Sequence, residues 1–173
     1  GVRLWLHKQM PLGSGLGSSA ASSVGGAVAV NALFGHMLSK HDIVNCALHG
    51  EAAASGTVHA DNVAPSVFGG IVLIRPSDPL DVISLPVPTA LRVVVVHPHT
   101  EVLTAEARRL VAERHYTIDQ VVQNLGNVAA LVTALHQENL ALFARSISDA
   151  LVEPVRAPLV PGYATVKKAA LDA

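Results

Sequence analysis

The segment Pro11-Leu-Gly-Ser-Gly-Leu-Gly-Ser-Ser-Ala-Ala-Ser-Ser23 holds the densest chemistry in the chain. Gly13, Gly15 and Gly17 let a backbone turn sharply and approach a ligand with no Cβ in the way. Ser18, Ser19 and Ala20 then open a small-residue helix predicted over Ser18–Phe34. A helix start presents unpaired N–H groups and about half a positive charge. Loop and helix start together make a phosphate cradle with the chemistry to hold a nucleoside triphosphate. Two common phosphate motifs do not fit. A dinucleotide fingerprint would need Gly or Ala where Ser18 stands, and an acid about 20 residues on, where Val28–Phe34 is apolar or neutral. A Walker loop would need Gly-Lys-Ser/Thr, which does not occur. A flexible Gly/Ser linker would not run straight into the apolar stretch Ala20–Phe34.

Phosphoryl transfer needs charge neutralisation as well as a cradle. Mg²⁺ prefers hard oxygen ligands, and often takes one or two side chains plus phosphates and water. Ser19 and Glu51 supply such oxygens. Glu51 lies in Ala47–Ser55, an otherwise small and apolar stretch, where a buried acid needs a partner and an exposed one is simply solvated. His59, Asp61 and Asn62 cluster after Gly56, a grouping that loops also show without function. His97 and His99 flank Pro98, but no cysteine or third ligand nearby completes a zinc site.

These residues need a frame. The chain has 173 residues, 50% of them hydrophobic and 14% charged, which suffices for one domain or two small ones around a sizeable core. A net charge of −1 leaves no electrostatic footprint for nucleic acid or an anionic membrane. No apolar run approaches the roughly 20 residues of a membrane span, and Gly1–Leu6 is no secretory signal. The lone Cys46 excludes an internal disulfide and fits a reducing cytosol; it reads as a small buried residue on a helix.

Val2–His7 alternates as a half-buried strand, and Leu91–His97 has the β-branched run of a central one. Ile71–Arg75 is a further strand, introduced by Gly69-Gly70. Helices are predicted at His41–Ala54, entered through Ser39–Asp42, and at Thr104–Arg114, Ile118–His136, Leu140–Leu151 and Tyr163–Ala173, with Gly35 capping the first helix. Asp61–Pro65 reads as a loop or short helical turn, and Glu153–Pro161, with its prolines, as a loop. Pro76–Pro88, with prolines at 76, 79, 86 and 88, reads as extended or turning and as the domain boundary. Ile118, Val121, Val122, Leu125, Val128, Ala129, Val132 and Leu135 share one helical face and read as core. Strands and helices interleave without βαβ regularity, so the fold class is α+β.

The pattern Pro-x-x-x-Gly-Leu-x-Ser-Ser-Ala resembles the phosphate motif of the GHMP superfamily, small-molecule kinases acting on galactose, homoserine, mevalonate and phosphomevalonate. The second block, Gly50-Glu…Gly56-x-x-His59-x-Asp61-Asn62-Val-x-Pro65…Gly69-Gly70, is similar to the homoserine kinases within it. The resemblance covers nearly the whole chain. It implies the GHMP kinase fold: residues 1–88 as a partial N-terminal, ATP-binding domain like the second domain of ribosomal protein S5, and 89–173 as a partial, ferredoxin-like C-terminal domain. The active site would lie between them. It also implies that segments before Gly1 and after Ala173 are missing from this fragment.

The implied activity is ATP-dependent phosphorylation of the L-homoserine side-chain hydroxyl, feeding threonine synthesis, in the cytoplasm or, for a plant protein, the plastid stroma. Alternatives are a mevalonate- or sugar-type GHMP kinase and a non-catalytic nucleotide-binding module. The resemblance assigns ATP to Pro11, Leu12, Gly13, Ser14, Gly15, Leu16, Gly17, Ser18, Ser19 and Ala20, and Mg²⁺ to Ser19 and Glu51. It gives Asp61 the substrate ammonium, Asn62 the reacting hydroxyl and His59 the pocket wall, with Glu51, Asn62 and Ser19 as the catalytic group. The carboxylate falls to Arg108, in Thr104-Ala-Glu-Ala-Arg108, and to Arg156, in Glu153-Pro-Val-Arg156. Arg108 is preferred over Arg109 because adjacent helix positions cannot face one pocket. Thr104 caps its helix, touches substrate, or both. No acid is placed to act as a base. An α-ammonium site argues against mevalonate and sugars. The apolar composition permits a homodimer without requiring one.

Overall fold

The structure is a computed structural model that describes residues 1–10, 15–55, 58–96, 98 and 104–172. It divides into two compact units, Gly1–Val87 and Pro88–Ala173.

In the first unit, α1 (Ser18–Leu33) and α2 (Lys40–Ser55) form a hairpin. Gly35 (φ 84°) and His36 (φ 57°) turn the chain in the left-handed region. Asn31 is buried at the end of α1 and holds the turn through its Oδ1, which accepts from Leu38 N–H at 3.0 Å. Ser39 and Asp42 start α2 reciprocally. Ser39 N–H and Oγ–H donate to Asp42 Oδ2 at 3.0 and 2.7 Å, and Asp42 N–H donates to Ser39 Oγ at 3.2 Å. The Ser39 hydroxyl, and then its N–H, lower the Asp42 pKa below the usual carboxylate value. Because the connection is short, the end of α2 returns beside the start of α1, which brings residue 51 to residue 19.

The third helix, α3, spans Ala60–Phe68, where the sequence predicts only a loop or short turn around 61–65. Pro65 cannot donate a helical hydrogen bond, which weakens the local signal. Packing overrides it: Val63 and Ala64 are fully buried against Ala20, Val24, Val44, Ala47 and Val82. These small side chains let three helices approach closely. β1 (Ile71–Arg75) then pairs antiparallel with β2 (Asp81–Leu85), from Ile71 opposite Leu85 to Arg75 opposite Asp81. The sequence reading misses β2 inside its proline-rich segment. Pro79 and Pro86 flank the strand without interrupting it, so no ladder donor is lost.

Replacing Asn31 with Ala leaves the Leu38 N–H without its partner. The expected loss is about 1–3 kcal/mol of stability, read as a lower urea midpoint at unchanged slope. An unchanged midpoint would mean that the turn holds without the side chain.

The second unit holds α4 (Thr104–Ala112), α5 (Ile118–His136), α6 (Leu140–Ser146), α7 (Glu153–Arg156), a 3₁₀ turn (Ala157–Leu159) and α8 (Tyr163–Asp172). A capping box opens α5: Gln120 N–H donates to Thr117 Oγ1 at 3.3 Å, and Thr117 N–H donates to Gln120 Oε1 at 3.0 Å. Asn124 Oδ1 accepts from Ala150 N–H at 3.0 Å, and Asn127 Nδ2 donates to Ser148 O at 2.7 Å, pinning the approach to α7. The predicted loop 153–161 is therefore helical in part. Pro154 and Pro158 sit in first turns, where no N–H is needed.

Four other expectations are corrected. Val2–His7 and the described part of Leu91–His97, residues 91–96, join no sheet among the described residues; a strand needs a neighbour to complete its hydrogen bonds, and none of those residues pairs with either segment. His97 and His99 lie outside the described residues. The apolar face of α5 is uncovered toward its start, with Ile118 73% and Leu125 64% exposed, whereas Leu135, near the end of the helix, which packs on α6, is fully buried. The helix from Leu140 stops at Ser146, because Asp149 Oδ1 draws Leu151 and Val152 N–H into a turn at 2.8 and 2.9 Å. Cys46 is on α2 as expected, but exposed.

Candidate phosphate and cation site

Gly17 is the N-cap of α1 at φ 76° and ψ 26°, a left-handed conformation that suits glycine. It offers no side-chain cap, and the first turn of α1 holds no acid. Among the described residues, no side chain caps this start, so its N–H groups and positive end are suited to an anion. Ser18 reinforces this. Its Oγ is buried and has no hydrogen-bond partner among the described residues. Such an orphan hydroxyl costs about 1–3 kcal/mol, which a ligand oxygen would offset.

One residue further in, Ser19 Oγ donates to Glu51 Oε2 at 2.8 Å across 32 residues of sequence. Gly50 makes this approach possible. A Cβ there would lie 3.1 Å from Ser23 Oγ and 3.2 Å from Ser23 Cβ, so a larger residue would require Ser23 to shift. The acid in its apolar stretch is half-buried and does have a partner. A hydroxyl and a carboxylate converging beside an uncapped helix start form a hard donor set that suits Mg²⁺ shared with phosphate oxygens. Among the described residues, no group of three or more His, Cys, Asp and Glu converges to form an all-protein metal cage.

The second block meets the first at one point. A Cβ added to Gly17 would stand 2.9 Å from Asn62 Oδ1 and 3.1 Å from Asn62 Cβ and Cγ. The Asn62 side chain thus lies against the last glycine of the loop. His59 precedes α3 as its N-cap residue and is half-buried. Asp61 and Asn62 are exposed in its first turn, where Asp61 Oδ1 accepts from Asn62 N–H at 3.1 Å. Ser66 Oγ–H donates to Asn62 O at 2.7 Å and holds that turn.

Residues 1–70 match the GHMP kinases N terminal domain. Those residues form a GHMP kinase N-terminal domain. The chain is 46% identical over 172 residues to a homoserine kinase of Chlorobium phaeobacteroides (strain BS1), covering 99% of this chain and 53% of that one. It is 44% identical over 173 residues to a homoserine kinase of Methanococcus maripaludis (strain C5), covering 99% of this chain and 56% of that one. The crystal structure of homoserine kinase from Cytophaga hutchinsonii superposes with a TM-score of 0.87 at 47% identity, over 95% of this chain and 52% of that one. The chain thus spans about half the length of the curated relatives it matches. The α+β reading and the GHMP kinase fold are borne out.

The remaining candidates divide by unit. Gly15, Leu16, Gly17, Ser18, Ser19 and Ala20 of the loop, with Glu51, His59, Asp61 and Asn62, belong to the first. Pro11, Leu12, Gly13 and Ser14 lie outside the described residues. Thr104, Arg108 and Arg156 belong to the second unit. There, Thr104 opens α4, Arg108 is exposed on it, and α4 packs on α7, which carries Arg156. Arg109 is tied to its own helix by an ion pair with Glu113 at 3.0 Å. Sequence reasoning missed the reason for Gly50; its signal was a glycine directly before the functional acid.

Among the described residues, no helix is long and apolar enough to cross a membrane.

Proposed function

We propose that the protein carrying this chain is an ATP-dependent kinase that phosphorylates the side-chain hydroxyl of L-homoserine, releasing O-phospho-L-homoserine and ADP. The observation that supports it most is the Ser19–Glu51 pair at 2.8 Å beside the uncapped start of α1. The homoserine kinases at 44–46% identity support the choice of acceptor.

In this reading, the glycine loop and the N–H groups of α1 hold the triphosphate, and the Ser18 hydroxyl gains a phosphate oxygen as partner. Ser19 and Glu51 would hold Mg²⁺, which would neutralise charge on the transferring phosphoryl group. Asn62 orients the acceptor hydroxyl toward the γ-phosphorus. The new O–P bond forms as the bond to the β,γ-bridging oxygen breaks, and the hydroxyl proton leaves to phosphate or solvent. An amide cannot take that proton, so Asn62 positions and does not act as a base. Asp61 pairs with the α-ammonium, His59 lines the pocket, and Arg108 and Arg156 receive the carboxylate, a group that guanidinium forks bind well.

The decisive assay is ADP release by the full-length protein with Mg·ATP and L-homoserine, mevalonate, galactose or no acceptor. A homoserine-specific rate is expected. No rate with any acceptor, despite tight ATP binding, would move the protein to a non-catalytic branch. A separate prediction concerns Asp61. Asp61→Asn removes a charge-assisted contact and should raise the KM for L-homoserine about tenfold or more, with a smaller change in kcat. An unchanged KM would remove Asp61 from ammonium recognition.

A further inference from the structure

The four-residue helix α7 begins with Glu153 and ends with Arg156. Both line a cleft of about 290 Å³ in the second unit, together with Asp149, Val152, Val160 and Tyr163. The cleft wall thus carries one guanidinium and two carboxylates. Positions three apart on a helix are neighbours, so Glu153 is the natural ion-pair partner of Arg156. That pair does not form. Among the described residues, Arg156 makes no ion pair at all.

Both acids are engaged elsewhere. Asp149 Oδ1 accepts from Leu151 and Val152 N–H at 2.8 and 2.9 Å. Glu153 Oε1 is held by Lys167 Nζ, which reaches across from α8. Glu153 is the more buried partner, with 25% of its side chain exposed. Tyr163, one turn before Lys167, closes the cluster: the ammonium lies 6.0 Å from its ring centroid. Burial first, and then the adjacent Glu153 carboxylate, raise the phenol pKa. The hydrogen bond to Glu153 raises that of Lys167.

We propose that Lys167 is a positioning residue for substrate recognition: by occupying Glu153, it keeps that carboxylate off Arg156 and leaves the guanidinium open to the substrate α-carboxylate. This rests on the reading of Arg156 as a carboxylate ligand. Lys167 touches no reacting group in this account. It acts by removing an internal carboxylate that would compete with the substrate's.

The test is steady-state kinetics in the full-length protein with five variants. Lys167→Met frees Glu153 for Arg156 and should raise the KM for L-homoserine about three- to tenfold, with kcat and the KM for ATP within about twofold. Lys167→Arg should restore the parent KM. Glu153→Gln combined with Lys167→Met should restore it too, although a purely structural role for the ion pair predicts no such rescue. Arg156→Gln should raise the KM by itself and make a further Lys167→Met silent. A raised KM in Arg156→Gln with none in Lys167→Met would overturn the proposal and leave the Arg156 reading intact. An unchanged KM in Arg156→Gln would overturn both. A Lys167→Met defect in kcat or folding that Glu153→Gln does not relieve would also overturn it, in favour of a structural ion pair.

Discussion

Glu51→Gln is expected to lower kcat about 10²–10³-fold, while the KM for L-homoserine changes by less than about threefold. The substitution keeps the side-chain length and an oxygen that can accept from Ser19 Oγ, now at 2.8 Å from the carboxylate. What it removes is the negative charge that makes the pair a good hard-cation site. Its effect should therefore appear where phosphoryl charge is neutralised and not where the amino acid is gripped. A second readout follows: the Mg²⁺ concentration giving half-maximal rate should rise. Equal losses in kcat and homoserine affinity, or no loss, would count against the metal role. Because α1 and α2 already hold Ser19 and Glu51 together, little reorganisation is needed before a cation can be shared with phosphate.

The other large effect is expected at Gly17. Gly15 and Gly17 both have left-handed backbones, at φ 72° and 76°. Alanine at either position meets comparable strain, about 1–2 kcal/mol. They differ in what a Cβ would meet among the described residues: nothing within 4 Å at Gly15, but Asn62 Oδ1 at 2.9 Å at Gly17. Gly17→Ala must displace the Asn62 side chain, whereas Gly15→Ala need not. Both variants should bind ATP more weakly. Gly17→Ala should in addition lose about 10²-fold in kcat, since a misplacement near 1 Å of a positioning group has that cost. Steady-state kinetics of the two variants side by side gives the comparison. Equal kcat losses would mean that the glycine serves only the loop's backbone and that its contact with Asn62 is incidental.

Much of the first unit was legible because its signals are local. The glycine spacing, the small-residue start of α1 and the Ser39–Asp42 cap each act within a few residues, and the helices formed where they predict. The span of α5, Ile118–His136, was readable from its apolar spacing, and the Thr117–Gln120 capping box holds its start. Its apolar period was also real, yet Ile118 and Leu125 are exposed. Periodicity reports which face favours burial; it does not say what covers that face. Val2–His7 and Leu91–Val96, which pair with no strand among the described residues, make the same point for strands.

By itself, then, the sequence determined the phosphate-loop chemistry, the positions of most helices, and the residues that could meet phosphate, cation and amino acid. It did so because backbone conformation and capping are short-range properties. Only the tertiary structure decided that Ser19 reaches Glu51 through a close approach at Gly50, that Asn62 rests on Gly17, that α3 is a helix despite Pro65, and that Lys167 occupies Glu153. Each of these depends on which buried surfaces meet, and no local pattern encodes a contact between residues far apart in the chain.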